Sequence, residues 1–239
     1  MPHRILDIDE VAQYLHLGRD EIERLVKDQS IPFETRGGRI VFRLGEIDDW
    51  ASQRILGFNS ARLAEYHRKS SAQTSGLLGR ETLMPEMIRP DCIAPAMTSR
   101  TRSSVLRDLA ALADRTALVN DVAELVATLL EREELCPTAV PGGVAFLHPR
   151  YPQPYLFQES FLVLGRTIQP IHFGCPDGQP TDLFFLLCCQ DDKLHLHTLA
   201  RLCLMALKTD LLARLRAAAA DPSELHAVLV SSEQTVIGS

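Results

Sequence analysis

Seven consecutive apolar residues, Leu183–Cys189, constrain the fold more than any other segment of this 239-residue chain. The run falls well short of the roughly 18 residues that a membrane-spanning helix needs. It has the length of a strand whose two faces are both apolar, and such a strand lies at the centre of a sheet covered on both sides. The segment therefore predicts a three-layer α/β/α domain.

The surrounding pattern predicts the other layers of this domain. Short apolar runs separated by helical patterns indicate a mixed sheet with helices on its faces. Strands are expected at 92–97, 143–147, 160–164 and 182–189. Helices are expected around 105–112, after Asn120, at 193–207 and 210–219, and after the capping sequence that begins at Asp221.

The first 69 residues differ in composition, since they are rich in charged residues of both signs and contain the only Trp. Asp9 precedes a helical apolar pattern that ends near Leu17-Gly18, and a second helix is predicted from Arg19 to Asp28. Two short helices joined by a tight turn are a helix-turn-helix arrangement. A small, mainly α domain is therefore expected.

A wing and a third helix follow in the same stretch. Gly37-Gly38 lies between two strand-like runs and can adopt the positive φ angles of a two-residue hairpin turn. The third helix is predicted from Leu44 to Trp50, with the Trp50 ring closing the small core. Residues 70–82 are polar, small and aperiodic, which predicts a flexible linker between a winged helix-turn-helix domain at 1–69 and the α/β domain at 83–239.

The N-terminal motifs, taken in order, resemble the excisionase-like, MerR-related DNA-binding domain. They are D-x-x-E-V-A-x-Y-L, R-x-x-I-x-R-L-V, I-P, G-G-R-I-x-F and I-D-D-W, within residues 5–52. In that family the second helix enters the major groove and the wing reaches phosphates. The resemblance implies DNA-contacting side chains on both elements: Arg19, Arg24, Lys27, Arg36, Arg39 and Arg43.

The charge balance limits this expectation. The chain carries a net charge of −6, which excludes nucleic-acid binding over the whole surface. Residues 1–70 hold 11 Lys and Arg against 12 Asp and Glu, so a modest affinity for duplex DNA is expected, strengthened by a homodimer. The alternative is a protein-interaction module with solvated arginines.

Three histidines occupy unusual places in the α/β region. His148 follows the predicted strand 143–147, and strand ends at loop rims are where sites usually lie. His195 and His197 are two residues apart near a helix start, so they point to different sides of that helix. Only one of the pair can face His148.

Several C-terminal motifs together resemble the IIA component of the bacterial phosphoenolpyruvate-dependent phosphotransferase system, of the fructose/mannitol type and its nitrogen-regulatory branch. They are R-E-E-L from 132, G-V-A-F-L-H-P-R from 143, Q-P-T-D-L-F-F-L-L from 179, H-L-H-T-L from 195 and L-R-A-A from 215. The likeness covers about residues 83–239.

The resemblance implies a phosphohistidine relay. His148 would accept a phosphoryl group from an HPr-type phosphocarrier, with Arg132 and His197 stabilising it. His195 is the alternative helix partner, and Arg150 is a nearby cation. A neutral imidazole is a suitable nucleophile at cellular pH, and the scheme requires no cofactor and no metal.

Two residues depart from the family pattern. The family has Pro before and Gly after the active histidine, whereas this chain has Leu147 and Pro149. Proline lacks a backbone N–H, so a hydrogen bond that a glycine could donate to the phosphate is absent. Losing such a charge-assisted bond costs about 1.5–3 kcal/mol, which predicts weakened phosphorylation or, alternatively, a domain that has lost the chemistry.

The overall prediction is a cytoplasmic regulator that joins a phosphoryl-accepting IIA-like domain to a DNA-binding module. The six cysteines show no C-x-x-C spacing and are expected to be reduced core residues. The start of the chain resembles no signal peptide, and no segment resembles a IIB or IIC component, which favours regulation over transport. Two alternatives remain open: a phosphorylation-independent regulator with a degenerate IIA domain, and a soluble IIA that serves a separate sugar permease.

Overall fold

The N-terminal part of the chain folds as a helix-turn-helix with a wing. A computed structural model describes residues 4–78, 82–150 and 153–237. In this part the helices are α1 (Ile8–Leu15), α2 (Arg19–Lys27), α3 (Leu44–Leu56) and α4 (Ser60–Leu78), and the strands are β1 (Ile5–Leu6), β2 (Glu34–Arg36) and β3 (Arg39–Arg43). We call residues 4–78 the N-terminal module.

Local sequence signals explain most of these boundaries. Helix α1 is capped by Asp7, whose side chain accepts a hydrogen bond from the Glu10 backbone N–H at 2.9 Å, while the Glu10 carboxylate accepts one from the Asp7 N–H at 2.9 Å. The predicted cap, Asp9, lies inside the helix instead. The wing turn has Gly37 and Gly38 at φ 57° and 76°, as the sequence predicts for a two-residue hairpin.

The third helix is longer than predicted, and its Trp50 side chain makes a hydrogen bond that the sequence did not predict. It continues to Leu56, and its buried apolar side chains are Ile47, Ala51 and Ile55. Trp50 is only half-buried, and its indole N–H donates to the Ser30 carbonyl at 2.6 Å. The ring packs against the core, as predicted, and its N–H also fastens α3 to the turn after α2.

The predicted linker at 70–82 is helical over much of its length. Helix α4 runs from Ser60 to Leu78 and crosses the polar segment without a break. Ser, Ala, Gln and Leu carry only small helix penalties, and the helix packs against another helix, described below, so tertiary contact outweighs the polar composition. Residues 79–81 of the predicted linker lie outside the described residues.

The C-terminal part forms a five-stranded mixed sheet. Its strands are β4 (Ile93–Met97), β5 (Ala139–Val140), β6 (Val144–Leu147), β7 (Phe161–Ile171) and β8 (Thr181–Cys188). Its helices are α5 (Met84–Met87), α6 (Arg102–Asp114), α7 (Val122–Leu135), α8 (Asp192–Lys208), α9 (Leu211–Ala217) and α10 (Pro222–Ile237), with 3₁₀ turns at Pro90–Cys92 and Pro154–Leu156.

The strand order is β4-β7-β8-β6-β5, which places the all-apolar strand β8 at the centre. β8 pairs antiparallel with β7 and parallel with β6, so the sheet is mixed as predicted. Successive residues of β8 are almost all buried, which requires cover on both faces of the sheet. Helices α6 and α7 pack on each other, α8 to α10 form a second group, and both groups contact the sheet.

The two parts of the chain pack together along one helix. Both α3 and α4 lie against α8, the helix that follows the central strand. A buried ion pair supports this region from within: the Arg201 guanidinium on α8 is 2.7 Å from the Glu233 carboxylate on α10. Glu233 also accepts hydrogen bonds from the backbone N–H groups of Leu83 and Met84, at 2.8 and 2.9 Å.

None of the described helices combines the length and apolarity that crossing a bilayer requires.

We expect Glu233→Gln to destabilise the protein strongly. Glu233 is fully buried and its carboxylate compensates Arg201, so the variant leaves a buried guanidinium beside a neutral amide. Breaking a buried pair in this way costs about 3–5 kcal/mol of unfolding free energy. Urea unfolding followed by circular dichroism measures the loss. Glu65→Gln, which breaks the exposed Glu65–Lys69 pair on α4, is the control and should leave the midpoint unchanged. Equal midpoints for the two variants would contradict the assignment.

Candidate active site

Strand pairing brings His148 to the start of α8. Strands β6 and β8 are parallel, with Leu147 opposite Leu186, so both strands end at the same edge of the sheet. His148 follows β6 directly, and α8 begins shortly after β8 ends, with Asp191 as its N-cap. Residues far apart in sequence therefore meet at this edge, where open α/β sheets commonly place their sites.

The His148 imidazole is buried and held in one tautomer. Only 1% of the residue is exposed. Its Nδ1 lies 3.0 Å from the Pro149 carbonyl oxygen, and because a carbonyl only accepts, Nδ1 carries the proton. The other nitrogen, Nε2, is buried and has no hydrogen-bond partner among the described residues. The lone pair of Nε2 is therefore available.

The environment keeps this ring neutral. Burial lowers the pKa of His148 well below its usual value, and the nearby Arg132 guanidinium and the His195 ring lower it further. The hydrogen bond to Pro149 opposes these effects only in part. A neutral imidazole with a free Nε2 is a nucleophile.

Arg132, on the last turn of α7, is fully buried beside this ring. One of its terminal nitrogens donates to the Cys136 carbonyl at 2.9 Å. Its Nε and its other terminal nitrogen are buried and have no acceptor in the described part of the chain. Buried guanidinium donors without partners are rare because the desolvation cost is large. Their fixed geometry suits the oxygens of a phosphate or carboxylate.

Of the two α8 histidines, His195 lies beside His148 and His197 does not. The His148 and His195 ring centroids are 4.6 Å apart. His197 points to the opposite side of α8, where its Nδ1 lies 2.7 Å from the Ser70 hydroxyl and its ring stacks on His67 at 4.9 Å. The family resemblance favours His197 as the partner of His148, whereas the geometry favours His195.

The pKa values of the two α8 histidines are also low. Burial, followed by Arg132, lowers the pKa of His195 to about 4. Burial, followed by His67 and Arg201, lowers that of His197 to about 3. Both rings are neutral at cellular pH.

Arg150 lies at the rim rather than at the reacting nitrogen. Its backbone N–H donates to the Thr128 hydroxyl at 3.0 Å. Its guanidinium lies 3.6 Å from the Glu131 carboxylate and 3.9 Å from that of Asp49. Arg150 is therefore placed between the C-terminal domain and the N-terminal module.

Helix α3 contributes three polar side chains that the sequence analysis missed. The Ser52 hydroxyl lies 3.3 Å from Nε2 of His195. Asp48 accepts a hydrogen bond from the Tyr14 hydroxyl at 2.8 Å and lines a cavity of about 20 Å³ with His148 and His195. Asp49 faces Arg150. A polar pair at i, i+4 beside the apolar stripe of α3, Asp48 and Ser52, was a readable signal of a second interface.

The arrangement can bind a small oxyanion next to a nucleophilic nitrogen. The unpaired N–H groups of Arg132 and the free Nε2 of His148 supply the donors and the nucleophile, and His195 lies alongside. No three His, Cys, Asp or Glu side chains converge as metal ligands within residues 4–78, 82–150 and 153–237.

The sequence matches the family "Phosphoenolpyruvate-dependent sugar phosphotransferase system, EIIA 2" over residues 86–232. The chain belongs to this family. A second match, to a helix-turn-helix domain, spans residues 5–55. The fusion of a IIA domain to a helix-turn-helix domain, expected from the motifs, is confirmed.

Several relatives of the IIA domain are nitrogen regulatory proteins. One from Bradyrhizobium diazoefficiens is 34% identical over 146 residues, which span 60% of this chain and 92% of the relative. One from Escherichia coli K12 is 33% identical over 112 residues, which span 45% of this chain and 65% of the relative.

Solved structures share the fold of the IIA domain. Nitrogen regulatory protein IIA-Ntr from Neisseria meningitidis aligns with 62% of this chain and 99% of its own, at 24% identity and a TM-score of 0.56. IIA mannitol from Escherichia coli aligns with 59% of this chain and 98% of its own, at 17% identity and a TM-score of 0.51.

The six cations predicted to contact DNA divide into two groups. Arg19 pairs with Asp9 at 2.5 Å and with Glu23 at 2.9 Å, and Arg36 and Arg43 both pair with Glu34, at 2.8 and 2.5 Å. The other three, Arg24, Lys27 and Arg39, are exposed, and no carboxylate in the described ranges pairs with them. The two groups therefore differ in whether a carboxylate already neutralises the cation.

We expect Asp48→Asn to change how stability depends on pH. Burial, with Asp192 nearby, raises the pKa of Asp48 from 3.8 to about 8, although the Tyr14 hydrogen bond opposes the shift. Between about pH 4 and pH 8, the Asp48 carboxyl therefore keeps its proton in the folded chain and has lost it in the unfolded chain. Stability contributed by this group is present below that window and is lost as pH rises through it.

The measurement is urea unfolding of both proteins at several pH values from 5 to 8. The unfolding free energy of wild type relative to Asp48→Asn should fall as pH rises, with a slope of up to about 1.4 kcal/mol per pH unit. Parallel curves would show that Asp48 is ionised in the folded protein.

Proposed function

We propose that the protein is a phosphoryl-responsive regulator in which Nε2 of His148 accepts a phosphoryl group from an HPr-type phosphocarrier and the N-terminal module binds duplex DNA. One observation carries the first part: a buried, unpartnered imidazole nitrogen lies near the unpartnered guanidinium donors of Arg132. Unsatisfied buried polar atoms are costly, and they cluster where a ligand supplies the missing partner.

The transfer needs little chemistry from the protein. The phosphorus–nitrogen bond on the carrier's phosphohistidine breaks as a bond forms from phosphorus to Nε2 of His148. No proton has to leave Nε2, because the proton of the ring is on Nδ1 and is held by the Pro149 carbonyl. Positioning and charge stabilisation account for most of the catalysis in such transfers.

Arg132 and His195 stabilise the phosphoryl group in this proposal. The free N–H groups of Arg132 donate to two phosphoryl oxygens in a fixed fork. His195 supplies a third donor from α8, since its ring lies against that of His148. His197 has no part in this step, because its ring belongs to the contact with α4.

Pro149 changes the acceptor loop without removing the orienting contact. Its missing N–H deprives the phosphate of one donor, as the sequence analysis states. Its carbonyl, however, fixes the tautomer that leaves Nε2 unprotonated. A slower acceptor with a defined nucleophilic atom is the expected result.

A regulatory role fits this chain better than sugar transport. Its relatives in Bradyrhizobium diazoefficiens and Escherichia coli are named nitrogen regulatory proteins, and the chain carries a helix-turn-helix domain. A phosphoryl group on the IIA domain is then a signal rather than a step in substrate uptake.

We expect the full chain to gain the mass of one phosphoryl group with phosphoenolpyruvate, enzyme I and an HPr-type carrier. His148→Ala should abolish the gain, and Arg132→Gln should slow it by at least tenfold, because the phosphoryl oxygens lose their fixed donors. Intact-mass spectrometry over time measures both effects. His172→Ala, at an exposed histidine, is the control and should behave as wild type. Labelling that persists in His148→Ala would place the acceptor elsewhere.

We expect duplex DNA binding to depend on Arg39 and Arg24 more than on Arg19. Arg39→Ala and Arg24→Ala each remove an unpaired cation, so each should lower the slope of log affinity against log salt by about 1. Arg19→Ala removes a cation already held by Asp9 and Glu23 and should change the slope less. Fluorescence anisotropy across a salt series measures all three. Duplex DNA binding whose affinity does not fall with salt would favour the alternative, a protein-interaction module.

A homodimer would add the avidity that a near-neutral module needs to bind DNA.

A further inference from the structure

The N-terminal module covers the acceptor histidine. Helix α3 places Ser52 against His195 at 3.3 Å, and Asp48 shares with His148 and His195 the small cavity at the site. This packing leaves His148 1% exposed. A phosphocarrier has to bring its own phosphohistidine to within bonding distance of Nε2, and α3 occupies that approach.

The cavity at the site is too small for the product of the reaction. Its volume is about 20 Å³, and one water needs about 10–15 Å³ by the same measure. A phosphoryl group adds phosphorus and three oxygens, which is four heavy atoms where there is space for about one. Asp48 of α3 forms one wall of this cavity, and Pro149 and Gln153 of the loop after β6 form another, so moving α3 away from α8 would enlarge it.

The charges of α3 oppose a phosphoryl group as well. The Asp49 carboxylate faces Arg150 at 3.9 Å. Burial raises the pKa of Asp49 to about 6, and the Arg132 and Arg150 guanidinium groups limit that rise, so the group is mostly ionised at pH 7. An anionic side chain of the module therefore already lies in the field of Arg132, the guanidinium that a phosphoryl group would use. Two anions so close together, with little water between them, repel each other.

The contact continues along α8, where polar pairs lie beside apolar side chains that join the core of both parts of the chain. On α4, Ser70 meets His197 at 2.7 Å and the His67 ring stacks on the His197 ring at 4.9 Å. Arg201 of α8 donates to Nε2 of His67 at 2.5 Å.

We propose that the N-terminal module and the phosphocarrier compete for one surface, so that packing of α3 on α8 and a phosphoryl group on His148 exclude each other. The proposal rests on the proposed function and adds to it the regulation of the same site. It follows by linkage that any factor favouring the packed arrangement slows phosphorylation, and that phosphorylation releases α3.

The packing of α3 and α4 on α8 covers His148 but leaves exposed the side chains that are proposed to contact DNA. Arg24 and Lys27 on α2 and Arg39 on the wing remain exposed while α3 and α4 lie on α8. The packed form can therefore present its recognition helix to DNA with its acceptor closed. Release of α3 changes how the recognition helix is held relative to the IIA domain.

The test compares phosphorylation rates of full-length variants. Ser52→Trp inserts a bulky, neutral side chain between α3 and α8, whereas Gln53→Trp places the same side chain at the exposed neighbouring position. With phosphoenolpyruvate, enzyme I and an HPr-type carrier, Ser52→Trp should be labelled at least tenfold faster than wild type, and Gln53→Trp at the wild-type rate. Ser52→Trp combined with His148→Ala should take no label.

Equal rates for wild type and Ser52→Trp would overturn the competition while leaving the acceptor role intact. Absence of label in wild type and in Ser52→Trp, with a functional IIA protein labelled alongside, would overturn the acceptor role and the competition with it. Thermal melts confirm that each variant is folded.

A second measurement does not depend on a substitution. Hydrogen–deuterium exchange on the wild-type chain, before and after phosphorylation, should show faster exchange in peptides covering 44–56 once the phosphoryl group is present. Unchanged exchange in a fully phosphorylated sample would refute the exclusion, because α3 would then still be packed.

Discussion

The parallel pairing of β6 with β8 is the constraint on which the site depends. It brings the residue after β6 and the first turns of α8 to one edge of the sheet, so that His148 meets His195. The apolar β8 fixes this pairing through close packing, because a shift of one residue would misfit the large side chains on both of its buried faces. The geometry of the imidazole pair therefore comes from the core.

That same burial determines the chemistry available to the ring. Out of water, His148 is held neutral, and one backbone carbonyl decides which nitrogen carries its proton. Arg132 is equally buried and keeps donors without acceptors. Such a site persists only because the packed core around it holds both side chains in place. It favours a ligand that is anionic and has several acceptor oxygens.

The sequence predicted the architecture better than the details of the site. The apolar run 183–189 led to the central strand, the motifs led to both families, and His148 could be placed at a strand end. The sequence could not decide between His195 and His197, because almost every residue from Leu194 to Met205 is buried and the helix shows no single apolar face from which to read its orientation. The linker prediction failed because composition does not reveal that α4 has a partner helix.

The packing of α3 on α8, which covers His148, was the hardest feature to predict. Asp48, Asp49 and Ser52 belong to the N-terminal module, and nothing local to them names a partner in the other domain. Because both partners are parts of one chain, the packing of α3 on α8 is a unimolecular equilibrium. Dilution leaves its position unchanged, whereas the encounter with a separate carrier weakens in proportion to the carrier's concentration.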